Sequence, residues 1–99
     1  MKQKLDSKKI LKNIERKKED IRKYGVKNIG LFGSFAKGKQ HKKSDIDILV
    51  NFNDVDFDRY IGLKFMLEKL FGRKVDLVIE SDLRPELKKV KKEAKYVRI

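Results

Sequence analysis

The sequence predicts a single α/β domain that spans residues 1–99. Two observations support this fold class: helical and strand-like segments alternate along the chain, and no linker, internal repeat or low-complexity segment divides it. The chain has 99 residues, of which 39% are hydrophobic, and a domain of roughly 100–150 residues has one core. The predicted order is helix, strand, helix, strand, helix, strand, helix. Strand order and direction do not follow from the sequence.

The first predicted helix covers residues 7–24. Ser7 is placed to cap its N-terminus, and Gly25 is placed to end it with a left-handed residue. Glu19 can pair with Lys23 one turn later. The apolar side chains fall on one narrow helical stripe: Ile10, Leu11, Ile14 and Ile21. The pattern therefore indicates an amphipathic helix with a strongly basic outer face.

The rest of the chain contains three strands and further helices. Length and β-branched content predict the strands: residues 29–32, 45–52 and 74–79. A helix is predicted over Phe57–Phe71. It would be apolar over most of its circumference, so apolar side chains that the core does not cover could face a partner or a second copy. Pro85 begins a last basic helix through about residue 95, and residues 96–99 are ambiguous.

Charge is the most unusual feature of the composition. Lys and Arg total 27 against 15 Asp and Glu, which gives a net charge of +12, and 42% of the residues are charged. Such a field concentrates anions near the surface. We expect the partner to be a nucleotide phosphate, a nucleic acid or an acidic protein. The basic end helices suit nucleic acid by charge, but no nucleic-acid-binding motif supports that alternative.

Composition also excludes some kinds of site. The sequence has no Cys, which excludes disulfides, thiolate metal sites and cysteine nucleophiles. It has no apolar run near the roughly 18 residues of a membrane span and no hydrophobic leader. We therefore expect a cytoplasmic protein that does not contact membrane.

Three aspartates form the first part of a candidate site. Asp45 and Asp47 are two residues apart at the start of a strand, so both carboxylates project from one face about 7 Å apart. Asp76 lies within an apolar strand, where its burial without a partner would be costly. If the two strands are neighbours, the three carboxylates meet. Hard oxygen ligands without His or Cys suit one or two Mg²⁺ or Mn²⁺ ions.

The turn at Gly33 and Ser34 forms the second part. It joins a strand to a short predicted helix, where unpaired backbone N–H groups and the helix dipole favour an anion. Gly33 permits close backbone approach, Ser34 can donate to a phosphate oxygen, and Lys37 can balance charge. Phosphates held here and metals held by the aspartates would together permit attack at a phosphorus atom. The residues thus predict nucleotidyl transfer.

Two segments carry a resemblance to a known family. They read Gly33-Ser34-Phe35-Ala36-Lys37-Gly38 and, after a basic loop, Ser44-Asp45-Ile46-Asp47-Ile48-Leu49-Val50. Together they resemble the signature of the minimal nucleotidyltransferases, which belong to the polymerase-beta-like superfamily. Val75-Asp76-Leu77-Val78 resembles the strand of the third carboxylate. The family more often has Arg at the position of Lys37, which would give a bidentate phosphate contact.

The resemblance implies a small mixed sheet of three to four strands flanked by helices. It implies that Asp45, Asp47 and Asp76 are catalytic and bind the metal, and that Gly33 and Ser34 hold the triphosphate of ATP. Stand-alone members of this size resemble antitoxins whose partner is a HEPN-type toxin. The implied activity is Mg²⁺-dependent transfer of AMP from ATP to a toxin hydroxyl, expected to be a tyrosine.

Other functions remain open at this point. The chain could neutralise a toxin by binding alone, or transfer a nucleotide to a small molecule or an RNA. His41 lies in a basic loop, where we expect a solvated side chain without a role. Asp54, Asp56 and Asp58 imitate a calcium-loop spacing but lack its Gly and terminal Glu, so we predict that they cap the following helix.

Overall fold

The computed structural model describes residues 5–41, 43–87 and 89–99. Four strands form one sheet; two helices precede the first strand, and the other helices lie between strands along the chain. In chain order the elements are α1 Ser7–Arg16, α2 Lys18–Arg22, β1 Val26–Phe32, α3 Gly33–Lys37, β2 Ile46–Phe52, α4 Phe57–Phe71, β3 Val75–Ile79, α5 Lys89–Glu93 and β4 Lys95–Arg98, with 3₁₀ turns at Glu80–Asp82 and Pro85–Leu87. Of the helices in these ranges, none is both long and apolar enough to cross a membrane.

The sheet is mixed, which confirms the predicted α/β fold class. Its strand order is β3-β2-β1-β4. β1 runs antiparallel to β2 and to β4, while β2 and β3 are parallel. The register places Asp47 opposite Phe32 on one side and opposite Asp76 on the other. The two strands that carry aspartates are therefore neighbours.

The two faces of the sheet differ in character. Side chains alternate along each strand, so residues that are paired in register share a face. One face packs on the helices in a hydrophobic core that includes Ile29, Ile48 and Leu77, together with Leu63 of α4. The opposite face, called the open face below, carries Asp47 and other polar residues of the strands: Asn28, Asn51, Asp76 and Tyr96. The candidate site therefore lies on the face away from the main core.

The first predicted helix is two helices, so that prediction was wrong in its continuity. The chain leaves helical geometry at Lys17, with φ −99° and ψ 15°. The N-cap is Asp6 rather than Ser7, and its carboxylate accepts from the Lys9 N–H at 2.9 Å. The break does not expose the core, because both segments still bury isoleucines of the predicted stripe: Ile10, Ile14 and Ile21.

The ion pairs of α2 also differ from the expected one. Glu19 pairs with Arg22 at 3.0 Å, and Lys23 pairs with Asp20 at 3.7 Å. Both pairs span three residues, which is as favourable as four on a helix surface. Gly25 has φ +79°, the left-handed conformation predicted for it.

The C-terminal segment departs most from prediction. Instead of one helix over residues 85–95, it forms a 3₁₀ turn and the short α5, and residue 88 lies outside the described residues. The ambiguous last residues form β4, which pairs with β1 from Asn28 to Leu31. The extended conformation of β4 is thus determined by its pairing with β1, which is distant in sequence.

The predicted helix Phe57–Phe71 is confirmed with its bounds. Asp56 caps it by accepting from the Arg59 N–H at 2.8 Å, and Gly72 ends it with φ +62°. The predicted apolar surplus also exists, because Phe57 is 75% exposed and Phe65 is 60% exposed.

A polar network links the C-terminal segment to the open face. The Glu80 carboxylate accepts from the Tyr96 hydroxyl at 2.9 Å and from the Asn51 amide at 2.8 Å. Lys91 pairs with the same carboxylate at 3.4 Å. Burial raises the pKa of Glu80, but these hydrogen bonds and the Lys91 charge outweigh it and lower that pKa overall. Burial and the Glu80 contact raise the pKa of Tyr96 to about 12.

The network predicts a pH-dependent stability. The pKa of Glu80 is lower in the folded state than its ordinary 4.5. Its ionised carboxylate therefore adds to the free energy of unfolding above pH 4.5, and this contribution is lost as the pH falls through the folded pKa. We expect Glu80→Gln to lower the free energy of unfolding at pH 7 by on the order of 1 kcal/mol. It should also flatten the pH dependence in acid.

Urea unfolding followed by circular dichroism between pH 3 and pH 7 measures both effects. Exposed Glu86 provides the control variant, Glu86→Gln, which should follow the wild-type profile. Equal acid sensitivity in Glu80→Gln and the wild type would show that the network does not stabilise the fold.

Candidate active site

The turn that was predicted to bind phosphate is confirmed as a strand-to-helix junction. β1 ends at Phe32, and α3 begins directly at Gly33 and ends at Lys37. Gly33 has φ +72°, a conformation that L side chains rarely adopt. Ser34 follows in the first turn and is half-buried. The backbone at Gly33 therefore reverses sharply at the end of the strand next to β2.

Asp47 lies against this turn. It is the register partner of Phe32, and a Cβ atom added to Gly33 would stand 2.8 Å from the Asp47 Cγ and would overlap its carboxylate. Position 33 thus needs glycine for two reasons, the positive φ and the space that Asp47 occupies. The two halves of the predicted site, the glycine turn and the aspartates, are in direct contact.

Asp45 and Asp76 are both neighbours of Asp47, one along the chain and one across the sheet. Asp76 is its partner on the parallel strand β3, and neighbouring strands are about 4.8 Å apart. Asp45 immediately precedes β2. Burial raises the pKa of Asp47, and the negative charges of Asp76 and Asp45 raise it further. Each neighbouring charge therefore makes ionisation of Asp47 more costly.

Asp76 is exposed, so the cost of burying its carboxylate without a partner in an apolar strand does not arise. The residues on either side of it, Val75 and Leu77, face the core and are buried, whereas Asp76 faces the open side. The apolar pattern of the strand reflects core contacts of its neighbours. Asp76 therefore needs no buried partner. Asp47 is half-buried, so its carboxylate is the one that loses contact with water.

No positive side chain neutralises this cluster within the described ranges. The ion pairs and hydrogen bonds found there leave the carboxylates of Asp45, Asp47 and Asp76 without a donor or cation. In a chain with 27 Lys and Arg, three mutually repelling carboxylates without a partner form an attractive position for a cation.

The three aspartates are the residues predicted to hold a metal ion. In the described part of the chain, no group of three or more His, Cys, Asp or Glu side chains converges closely enough to hold a metal ion. The donor chemistry nevertheless fits a hard divalent cation, because the carboxylates are adjacent, raise the pKa of Asp47 and lack protein partners. Convergence would require movement of the exposed Asp45 and Asp76 side chains.

Lys37, the third residue predicted to contact phosphate, is in a different arrangement. Its side chain is exposed, and its Nζ lies 3.4 Å from a Glu93 carboxylate oxygen of α5. An exposed pair of this kind contributes little energy. A nucleotide phosphate could therefore compete with Glu93 for Lys37.

Sequence reasoning missed Arg73, which positions the loop before Asp45. Its guanidinium donates to the Ser44 carbonyl at 2.9 Å and lies 5.3 Å from the centre of the Phe35 ring. Ser44 is 8% exposed, and its hydroxyl accepts from the His41 N–H at 2.9 Å. The side chain of His41 is exposed, as expected. A lone Arg after a helix-ending glycine gives no local signal of this role.

The sequence matches known proteins over most of its length. Residues 7–97 match the family model of the nucleotidyltransferase domain. The protein adenylyltransferase MntA of Thermococcus cleftensis is 42% identical over 83 residues, which cover 82% of this chain and 84% of that protein. A candidate protein adenylyltransferase of Methanocaldococcus jannaschii is 45% identical over 85 residues, covering 80% and 85%.

Solved structures share the fold. A candidate minimal nucleotidyltransferase aligns with a TM-score of 0.81 at 31% identity, covering 95% of this chain and 98% of that one. A chain of a toxin-antitoxin crystal structure with AMP-PNP aligns with a TM-score of 0.67 at 30% identity, covering 93% and 72%.

A third similar structure is a tri-AMPylated HEPN toxin of Shewanella oneidensis in complex with an MNT antitoxin. The match has a TM-score of 0.63 at 25% identity and covers 88% of this chain and 70% of that one. The family model, the relatives above 40% identity and the similar structures all indicate the same family. The chain belongs to the nucleotidyltransferase domain family and is a nucleotidyltransferase with the minimal fold of that family.

Proposed function

We propose that this protein transfers AMP from ATP to a tyrosine hydroxyl of a HEPN-type toxin and acts as the antitoxin of the pair. The observation that carries the proposal is the contact between the Gly33 turn and Asp47 beside Asp45 and Asp76. The turn that we propose to bind phosphate thus lies against carboxylates that have no ion-pair or hydrogen-bond partner among the described residues. The adenylyltransferase name of the Thermococcus relative and the AMPylated toxin in the similar complex support the acceptor class.

The roles of the residues follow from their places. Gly33 and Ser34, at the start of α3, would hold the triphosphate through backbone N–H groups and the hydroxyl. Lys37 would balance phosphate charge after leaving Glu93. Asp45 and Asp47, with Asp76 as the third carboxylate, would hold one or two Mg²⁺ ions, and Mn²⁺ has the same ligand preference. Such an ion supplies charge stabilisation at the phosphoryl oxygens.

Asp76 is also placed to receive a proton. It is exposed at the strand next to Asp47, so an acceptor hydroxyl can reach it from solvent. Loss of the hydroxyl proton to Asp76 would allow the oxygen to attack the α-phosphorus of ATP, with pyrophosphate as the leaving group. The product is an AMP ester of the acceptor tyrosine.

The first test combines pull-down, intact mass and Asp47→Asn. The tagged protein is recovered from its native host and incubated with ATP and Mg²⁺, and the masses of co-purifying proteins are measured. We expect a partner to gain whole AMP units with the wild type and none with Asp47→Asn, because the substitution removes a metal-binding charge. Asp58→Asn, an exposed change in the first turn of α4, should transfer normally.

The fold of the inactive variant is checked by thermal unfolding. Because the pKa of Asp47 is raised in the folded state, its ionised form opposes folding at neutral pH, and Asp47→Asn should melt no lower than the wild type. Undiminished transfer by folded Asp47→Asn would contradict the site. A stable partner without mass change would instead indicate an antitoxin that acts by binding alone.

A glycine pair tests the contact between the turn and Asp47. Gly33 and Gly38 have nearly equal positive φ, +72° and +70°, but an added Cβ at Gly38 meets nothing within 4 Å. Ala at either position should cost about 1–2 kcal/mol of stability from the left-handed backbone. Only Gly33→Ala should also displace Asp47, so we expect at least a hundredfold loss of AMP transfer there and less than threefold for Gly38→Ala.

The measurement is the initial rate of AMP transfer at a temperature where both variants are folded. Similar rates for the two variants would show that the space against Asp47 is not needed.

A further inference from the structure

An apolar cavity lies at the edge of the sheet, between β3 and the start of α4. Its volume is about 540 Å³. Most of its lining is hydrophobic: Val55, Phe57, Tyr60, Leu77, Val78 and Ile79. β3 is an outer strand of the sheet, so the cavity opens at a side that no other described strand covers.

Two hydrophobic residues of this cavity are unusually exposed. Phe57 is 75% exposed and Val55 is 45% exposed. Neither belongs to the core or to the residues packed against it. Exposed apolar side chains that flank an apolar cavity are typical of an interaction surface, because contact with a partner would remove them from water.

The charge of this region is opposite to that of the whole protein. The two charged residues of the lining, Asp56 and Asp82, are acidic, while the chain carries +12. Asp56 lies 3.9 Å from Arg59, but within the described residues Asp82 has no ion pair. The cavity therefore attracts a basic side chain, and overall repulsion between two +12 chains disfavours a second copy as the occupant.

The cavity adjoins the proposed active site. Val78, in its lining, lies two residues after Asp76 in β3, and alternate residues of a strand share a face of the sheet. The Tyr60 hydroxyl donates to the Leu77 carbonyl at 2.5 Å. Burial and then the Asp76 charge raise the pKa of Tyr60, so Asp76 is within electrostatic reach of this side chain. A segment seated in the cavity would continue towards Asp76.

We propose that this cavity is the docking site for the acceptor protein, through a segment that inserts an apolar side chain beside Phe57 and places a basic side chain against Asp82. The acceptor hydroxyl, a short distance along the same segment, would then reach Asp76. The identity of the occupant as an acceptor rests on the proposed function, whereas the chemistry of the segment follows from the cavity.

Fluorescence anisotropy with two labelled peptides tests this docking site without ATP. Both probes are about 15 residues long and share a centre of leucines and one tyrosine. One has Lys and Arg flanks, and the other has Asp and Glu flanks. The full chain should bind the basic peptide at least tenfold more tightly than the acidic one, because of Asp56 and Asp82.

Three variants locate the binding. Phe57→Ala should weaken binding of the basic peptide at least tenfold, and Asp82→Asn should weaken it at least threefold. Phe65→Ala is the matched control, because Phe65 is a similarly exposed aromatic residue of the same helix outside the cavity lining. It should bind as the wild type does. Circular dichroism verifies that each variant is folded, and Val55→Ser provides a second cavity variant if Phe57→Ala is not.

Several results would overturn the docking proposal: no binding of the basic peptide, equal binding of both peptides, or equal losses in Phe57→Ala and Phe65→Ala. Sedimentation velocity that shows a dimer abolished by Phe57→Ala would assign the cavity to a second copy instead. Asp47→Asn should bind the peptide normally. If the wild-type chain transferred no AMP to any partner but still bound the basic peptide through the cavity, the proposed function would fail and the docking site would stand.

Discussion

The close approach of the Gly33 backbone to the Asp47 carboxylate is the contact on which the candidate site depends. It requires the antiparallel register that pairs Phe32 with Asp47, and it requires a residue without Cβ at the point where β1 turns into α3. A register shift of one residue would turn Asp47 to the core face and an apolar neighbour to the turn. The buried side chains of β1 and β2, which specify that register, therefore also assemble the site.

Electrostatics gives the site its second constraint. A chain with net charge +12 attracts a polyphosphate from a distance, yet the described residues leave its three central aspartates without protein cations. Burial, and then the negative charges of Asp76 and Asp45, raise the pKa of Asp47, so its ionised carboxylate opposes folding. Binding sites commonly contain residues that stabilise the fold less than other residues would, because the ligand requires them. The apolar cavity beside β3 likewise has acidic residues in its lining, although the chain as a whole is positively charged.

Much of this arrangement could be predicted from local sequence. The turn at Gly33, the strand after Asp45 and the helix Phe57–Phe71 have strong local signals, and each lies close to its predicted position. The strands of Asp47 and Asp76 are neighbours, which is the condition on which the aspartates were predicted to meet. Among the described residues, however, no three acidic side chains converge closely enough to hold a metal ion. The spacing of glycines and carboxylates in the sequence thus predicted most of the residues of the candidate site.

The features that sequence reasoning missed depend on contacts between distant segments. β4 forms because β1 offers an edge, and four residues without alternation give no local sign of it. The exposure of Asp76 depends on which face of the sheet the helices cover. The role of Arg73 depends on a loop that is distant in sequence. Strand order and facing are properties of the assembled sheet, and no local pattern specifies them.

Anomalous diffraction from Mn²⁺ in crystals grown with a non-hydrolysable ATP analogue tests the proposed site directly. We expect a manganese peak beside the Asp45 and Asp47 carboxylates, with the triphosphate against Gly33 and Ser34. Manganese bound away from these carboxylates, or a nucleotide bound away from the Gly33 turn, would contradict it.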